Sequence, residues 1–162
     1  MIKIIGAEGK ISEIEKFLEK INRFSKQNNL IIQSFDADMI YGKEHLISSI
    51  EHAKRAIKNK TNISIKIEME ILLYASGERQ LKKAIPKMGI KKGNSSIVFV
   101  LINNKINGKI IERFIKIFNL KRNDKLIEGN INTLKKFGIK NKEIKSVPKE
   151  NYSDLILEKV AL

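Results

Sequence analysis

Ser96 to Ile102 reads SIVFVLI and is bounded by Gly93-Asn94 on one side and Asn103-Asn104 on the other. A short, continuous, β-branched run between turn residues is the pattern of a strand buried on both faces. Such a strand sits inside a sheet and needs cover on each side, so the flanking chain should supply helices. It does. Ile14, Phe17, Leu18, Ile21 and Phe24 recur at spacings of three and four, with Asn28-Asn29 ending the segment. Ser12 and Glu15 are placed as a capping box at its start. A second helix is expected from Lys43 to Lys58, with Leu46, Ile50, Ala53 and Ile57 inward, and another from Gly108 to Phe118 around Ile111, Phe114 and Ile115.

Shorter signals fill the intervals. Ile2 to Ile5 reads as a strand ended by Gly6, and Leu30 to Phe35 as another, followed by a turn at Asp36-Ala37-Asp38. Ile63, Ile65 and Ile67 alternate like a strand, whereas Glu68 to Ala75 suits a helix that Gly77 breaks. Glu78 to Met88 starts a new helix; Pro86 loosens its last turn and Gly89 closes it. Asn123-Asp124 would cap a helix running to Phe137, Lys135 to Lys149 reads as loop, and Tyr152 to Leu162 is an apolar tail. The expected fold is α/β in the mixed α+β sense, a single domain over residues 1–162 with a small central sheet flanked by helices on both faces.

Charge is distributed unevenly. Residues 1–50 carry seven basic and seven acidic groups, so the formal net charge of +14 lies entirely in the remainder. Lysine abundance is partly compositional, since only Arg23, Arg55, Arg79, Arg113 and Arg122 are arginines. The asymmetry still favours a basic face over an even solvation layer. No acidic residue occurs from Arg79 to Ile111 or from His52 to Ile67. On a helix, Arg79, Lys82, Lys83 and Lys87 share one face, opposite Leu81, Ala84, Ile85 and Met88. Lys54, Arg55 and Lys58 form an outward stripe on the second helix. The pattern points to a polyanion, RNA first. With no tryptophan and only Tyr41, Tyr74 and Tyr152 as tyrosines, a long stacking platform is excluded, and phosphate and shape recognition fit better. Tyr74, beside Ser76-Gly77, either stacks on one base or fills a core position.

Catalytic signals are sparse. The chain has no cysteine, which removes disulfides, thiolate zinc sites and cysteine nucleophiles. His45 and His52 lie two helical turns apart, ~10 Å along the axis, too far to share a metal without an intervening ligand. Asp36 and Asp38 read as turn chemistry rather than a cation site. Gly6 to Lys10 lacks phosphate-loop spacing. No cofactor, metal or small-molecule substrate is expected. No apolar run approaches the ~18 residues of a membrane span, and the N-terminus lacks signal-peptide layout, so a cytoplasmic protein is expected. A competing reading is an RNA-modifying enzyme using His45, His52, Asp36 or Asp38. Another is a generic RNA-binding module.

The segment Glu70-Ile71-Leu72-Leu73-Tyr74-Ala75-Ser76-Gly77, then Arg79-Gln80-Leu81, Ala84 and Gly89-Ile90, resembles the small regulatory subunit of the KEOPS complex, the PRPK-binding protein family. SFDADMIYGKEHL and SSIVFVLI extend the resemblance, which covers most of Phe35 to Ile102. Pro86 departs from the family's uninterrupted helix. The resemblance implies a non-enzymatic subunit. It would bind the small atypical kinase of that complex and support threonylcarbamoyladenosine modification of tRNA, holding tRNA by its 3′ CCA end. It implies tRNA contacts at Arg79, Gln80, Lys82 and Lys83, to which the charge pattern adds Lys87, Lys54, Arg55, Lys58 and Tyr74. Leu155, Ile156, Leu157, Val160 and Leu162 of the apolar tail either meet the kinase or complete the core.

Overall fold

The structure is a computed structural model that describes residues 1–161. Leu162, expected in the partner-binding tail, lies outside the described residues. The fold is mixed α+β, with eight α-helices and a four-stranded antiparallel sheet among the described residues. The chain divides into two compact units, Met1–Ala37 with Ile90–Ile127, and Asp38–Gly89 with Glu128 onward.

The first unit holds the sheet. Its strands are β1 (Ile2–Ile11), β2 (Ile31–Asp36), β3 (Gly93–Ile102) and β4 (Lys121–Arg122), ordered β2-β3-β1-β4. β3 is the SIVFVLI strand, and it lies between two neighbours as its sequence requires. It pairs with β1 over ten residues, from Ile2 opposite Ile102 to Ile11 opposite Gly93, and with β2 from Ile31 opposite Ile102 to Asp36 opposite Ile97. On one face, Ile97, Phe99 and Leu101 join Ile5, Ala7 and Ile32 under α1 (Ile14–Gln27) and α5 (Gly108–Ile117). Phe114 sits at the centre of an aromatic cluster, with ring centroids 4.9 Å from Phe99, 5.3 Å from Phe24 and 4.6 Å from Phe118. Val98, Val100 and Phe35, on the opposite face, are fully buried as well.

Several expectations are corrected here. Gly6 does not end β1. The strand runs through it because Gly6 is a site of close approach: a Cβ there would collide with the Asn123 carbonyl oxygen. The Gly6 N–H instead donates to Asp124 Oδ1 at 3.1 Å, and the Asn123 N–H to the Gly6 carbonyl at 2.8 Å. The Gly6–Lys10 stretch is therefore strand, not a phosphate loop. Extended pairing to Ile11 also displaces the Ser12 capping box; α1 begins at Ile14 behind Glu13, with no side-chain cap. Leu18 is 43% exposed rather than inward. Asn123-Asp124 caps no long helix. Asp124–Ile127 is a 3₁₀ turn.

The second unit is helical. α2 (Gly42–Lys58), α3 (Ile67–Ser76), α4 (Leu81–Met88), α6 (Ile131–Phe137), α7 (Asn141–Lys145) and α8 (Tyr152–Ala161) build it, with α8 packed on α2 and α3. α2 buries Leu46, Ile50 and Ala53 as its period demands, while Ile57 is half-buried. α6 starts at Asn130, whose side chain accepts from the Asn132 and Thr133 amides while Thr133 closes a capping box. Gly129 separates it from the preceding turn with φ +72°, where a Cβ would press on the Ile40 carbonyl at 2.7 Å. The lysine-rich stretch expected as loop contains α7, five residues long and too short for a periodic signal. The apolar tail is α8, and Leu155, Ile156 and Val160 are buried in this unit's core. Of the two readings of the tail, this burial matches completion of the core for Leu155, Ile156 and Val160. No helix among the described residues is long and apolar enough to cross a membrane.

Candidate nucleic-acid interface

α3 is apolar nearly all round, which suits a helix buried in the unit. It stops at Ser76 because Gly77 takes the left-handed conformation, φ +71°. Ser76 reinforces the turn: its hydroxyl donates to the Leu73 carbonyl at 2.7 Å and accepts the Glu78 N–H at 2.9 Å. Arg79 and Gln80 then cross an exposed link before α4 begins. Arg79 is thus not on the helix. The Gln80 carbonyl accepts from the Lys83 and Ala84 amides, so Gln80 caps α4 through its backbone.

α4 keeps Ala84 and Met88 inside and Lys82 and Lys83 in solvent. Pro86 lies within it, and Gly89 closes it through an N–H to the Ile85 carbonyl at 2.8 Å. Lys87 departs from the expected exposed face. Three residues after Ala84, and so about 60° from it on the helical wheel, it lies at the edge of the buried face. Its ammonium turns inward to donate to the Ser76 carbonyl at 2.8 Å and stands 3.9 Å from the Phe137 ring centroid. Burial lowers its pKa; Glu78, 3.9 Å away, opposes that and Lys159 adds to it. Lys87 therefore ties α3 to α6 rather than offering charge.

Tyr74 faces α2. Its ring stacks on His52 with centroids 5.3 Å apart and planes at 20°. His52 Nδ1 lies 3.2 Å from the Arg55 guanidinium. Burial, and Arg55 after it, lower the His52 pKa, so the imidazole is neutral at pH 7 and stacks as an uncharged ring. Tyr74 also lines a cleft of about 210 Å³ with Thr61, Gly77, Glu78, Arg79 and Lys159. Arg55, Tyr74 and Arg79 are thus brought together through His52 and this cleft. Lys54 and Lys58 are exposed along α2, and Lys82 and Lys83 along α4. Sequence reasoning missed His52 as an aromatic partner and Lys159 as a cleft residue. Neither has a local signal, since both are set by helix packing.

The residues proposed for catalysis are engaged elsewhere. His45 is buried; it accepts the Tyr41 N–H at Nδ1, 3.1 Å away, and Nε2 lies 2.8 Å from the Ala75 carbonyl. That pattern fixes a neutral ring with the proton on Nε2, and burial pushes its pKa down to about 4. Asp36 pairs with Lys91 at 3.5 Å and Asp38 with Lys136 at 3.0 Å. No group of three or more His, Asp or Glu side chains is placed to hold a metal ion among the described residues.

The profile of the family described as kinase binding protein CGI-121 matches residues 10–162. The regulatory protein Cgi121 of Methanocaldococcus jannaschii is 31% identical to this chain over 57% of its length and 68% of the relative's.

Proposed function

The chain belongs to the CGI-121 family of kinase-binding regulatory proteins, and on that premise we propose that it is a non-catalytic subunit of the KEOPS complex. In this reading it binds the atypical kinase subunit and holds tRNA by its 3′ CCA end, supporting threonylcarbamoyladenosine modification. The observation that carries the RNA half is Tyr74, which lines a cleft with Arg79 and stacks on His52, itself beside Arg55. A stacked aromatic pair offers a π-face to an unpaired base, and guanidinium groups beside it take the flanking phosphates. Exposed Lys82 and Lys83, and the Lys54–Lys58 stripe, add the diffuse positive field that draws a polyanion in.

The test is a filter-binding titration of tRNA at several salt concentrations. Binding should weaken steeply with salt, because each phosphate contact releases counterions. Removing the 3′ CCA should weaken it further, and Arg79→Glu should reduce affinity by about fivefold while flattening the salt slope by roughly one unit. Equal affinity for intact and clipped tRNA would overturn end recognition. Unchanged affinity of the Arg79→Glu variant would overturn the placement of the site.

A further inference from the structure

The link between α2 and α3 is organised by a buried acid. Glu70 is 1% exposed, and its carboxylate accepts the Ile63 N–H at 3.1 Å and the Ser64 N–H at 2.7 Å. The Asn62 amide donates to the Ser64 carbonyl at 2.9 Å and tightens the same turn. Burying a carboxylate is unfavourable unless hydrogen bonds replace its water. Here those bonds are used to fix a loop that presents apolar side chains outward: Ile65 is 96% exposed and Ile63 59% exposed. The alternation of Ile63, Ile65 and Ile67 is therefore not a strand: Ile63 and Ile65 lie on a hydrogen-bonded tip and Ile67 opens α3.

The surroundings of the tip describe its occupant. Lys60 and Lys66 are exposed on either side, and no acidic residue lies between Glu51 and Glu68. An isoleucine offers RNA neither a π-face nor a hydrogen-bond donor, so the tip itself suits protein rather than nucleic acid. An apolar pocket rimmed by carboxylates matches it in both shape and charge. On α8, Leu155, Ile156 and Val160 are buried and offer a partner little apolar surface, while Leu157 is half-buried. Ile63 borders the same cleft as Val160, at the surface where α8 ends its coverage.

We propose that the loop from Asn62 to Lys66 is the docking tip for the kinase, with Ile65 entering an apolar pocket whose acidic rim meets Lys60 and Lys66. This rests on the reading that the chain binds a kinase. The Glu70 anchor orders the loop before binding, so that cost does not fall on the complex.

The experiment titrates the full chain against the purified kinase subunit of the same organism, with tRNA affinity measured in parallel. Ile65→Asp should raise the Kd by about tenfold or more, as loss of a central apolar anchor does. Ile65→Leu should stay within about threefold of the parent, because it conserves volume. Lys60→Glu combined with Lys66→Glu should weaken binding and reduce its salt dependence. Ile65→Leu should leave tRNA affinity unchanged and Ile65→Asp should lower it far less than it lowers kinase affinity, whereas the paired lysine reversal should weaken tRNA binding as well, through the lost positive charge. Kinase binding by the parent that survives Ile65→Asp within about twofold would overturn the loop alone. No kinase binding by the parent would overturn the kinase reading with it. Loss of self-association by Ile65→Asp, with kinase affinity intact, would assign the tip to a second copy of the chain instead.

Discussion

The sheet unit and the helical unit are held by different means. In the sheet unit the buried side chains are aliphatic and aromatic, and the buried polar groups among the described residues are the small hydroxyls of Ser34 and Ser95. Strand register and the Phe24–Phe99–Phe114–Phe118 cluster organise it. The helical unit buries His45, Ser49, Glu70, Ser76 and Thr133. Ser49 bonds the His45 carbonyl within α2, and the other four are bonded to backbone near a helix end or turn: His45 to Ala75 and Tyr41, Ser76 to Leu73, Glu70 to Ile63 and Ser64, Thr133 to Asn130. Short helices leave many unsatisfied amides and carbonyls, and buried polar side chains satisfy them. Exposed Arg79 and exposed Ile63 and Ile65 lie at two of those tied ends, Gly77–Arg79 and Ile63–Ile65.

Three measurements would sharpen or break this contrast. The largest effect should come from Phe114→Ala, which empties the centre of the aromatic cluster and should cost about 3–5 kcal/mol in urea denaturation; a loss under about 1 kcal/mol would mean that the cluster does not hold the sheet unit. Next is acid. The folded pKa of His45, about 4, lies below its unfolded value of 6.5. Between those values the unfolded chain binds a proton that the folded chain does not. Stability is therefore full above about pH 6.5 and falls as the pH drops towards 4, by about 3 kcal/mol in total. The His45→Gln variant should lose that part of the slope in parallel denaturation curves, and an identical slope would remove His45 as its source. The smallest effect should be Asn130→Ala, which opens the α6 capping box and should cost about 1 kcal/mol in the same assay. No change would show that the α6 end is held by tertiary packing.

Legibility followed the length of the signal. β3, α2 and α5 were readable because seven to seventeen residues repeated one pattern. The seven-residue α6 was read with its end at Phe137 but its start placed too early, and the five-residue α7 was not read, since so short a segment does not establish a period. Gly6 misled because a glycine looks the same in a turn as at a close approach inside a strand. The candidate site was half legible. Tyr74, Arg79, Lys82, Lys83 and the α2 stripe stood out by charge and spacing. Lys87 shared that spacing, yet a wheel position beside Ala84 and the nearby Ser76 carbonyl drew it inward. The exposed isoleucines looked like an alternating strand, and only the Glu70 hydrogen bonds reveal them as a held tip.

By itself the sequence determined that a buried central strand would be covered by amphipathic helices, and that positive charge would gather in the later part of the chain. Both are consequences of local pattern, which acts wherever a segment ends up. Tertiary structure decided which charges face water, which apolar residues stay uncovered, and that His52, 22 positions before Tyr74 in the chain, becomes its stacking partner. Those outcomes depend on how helix ends find hydrogen-bond partners across long separations, and no window along the chain encodes that pairing.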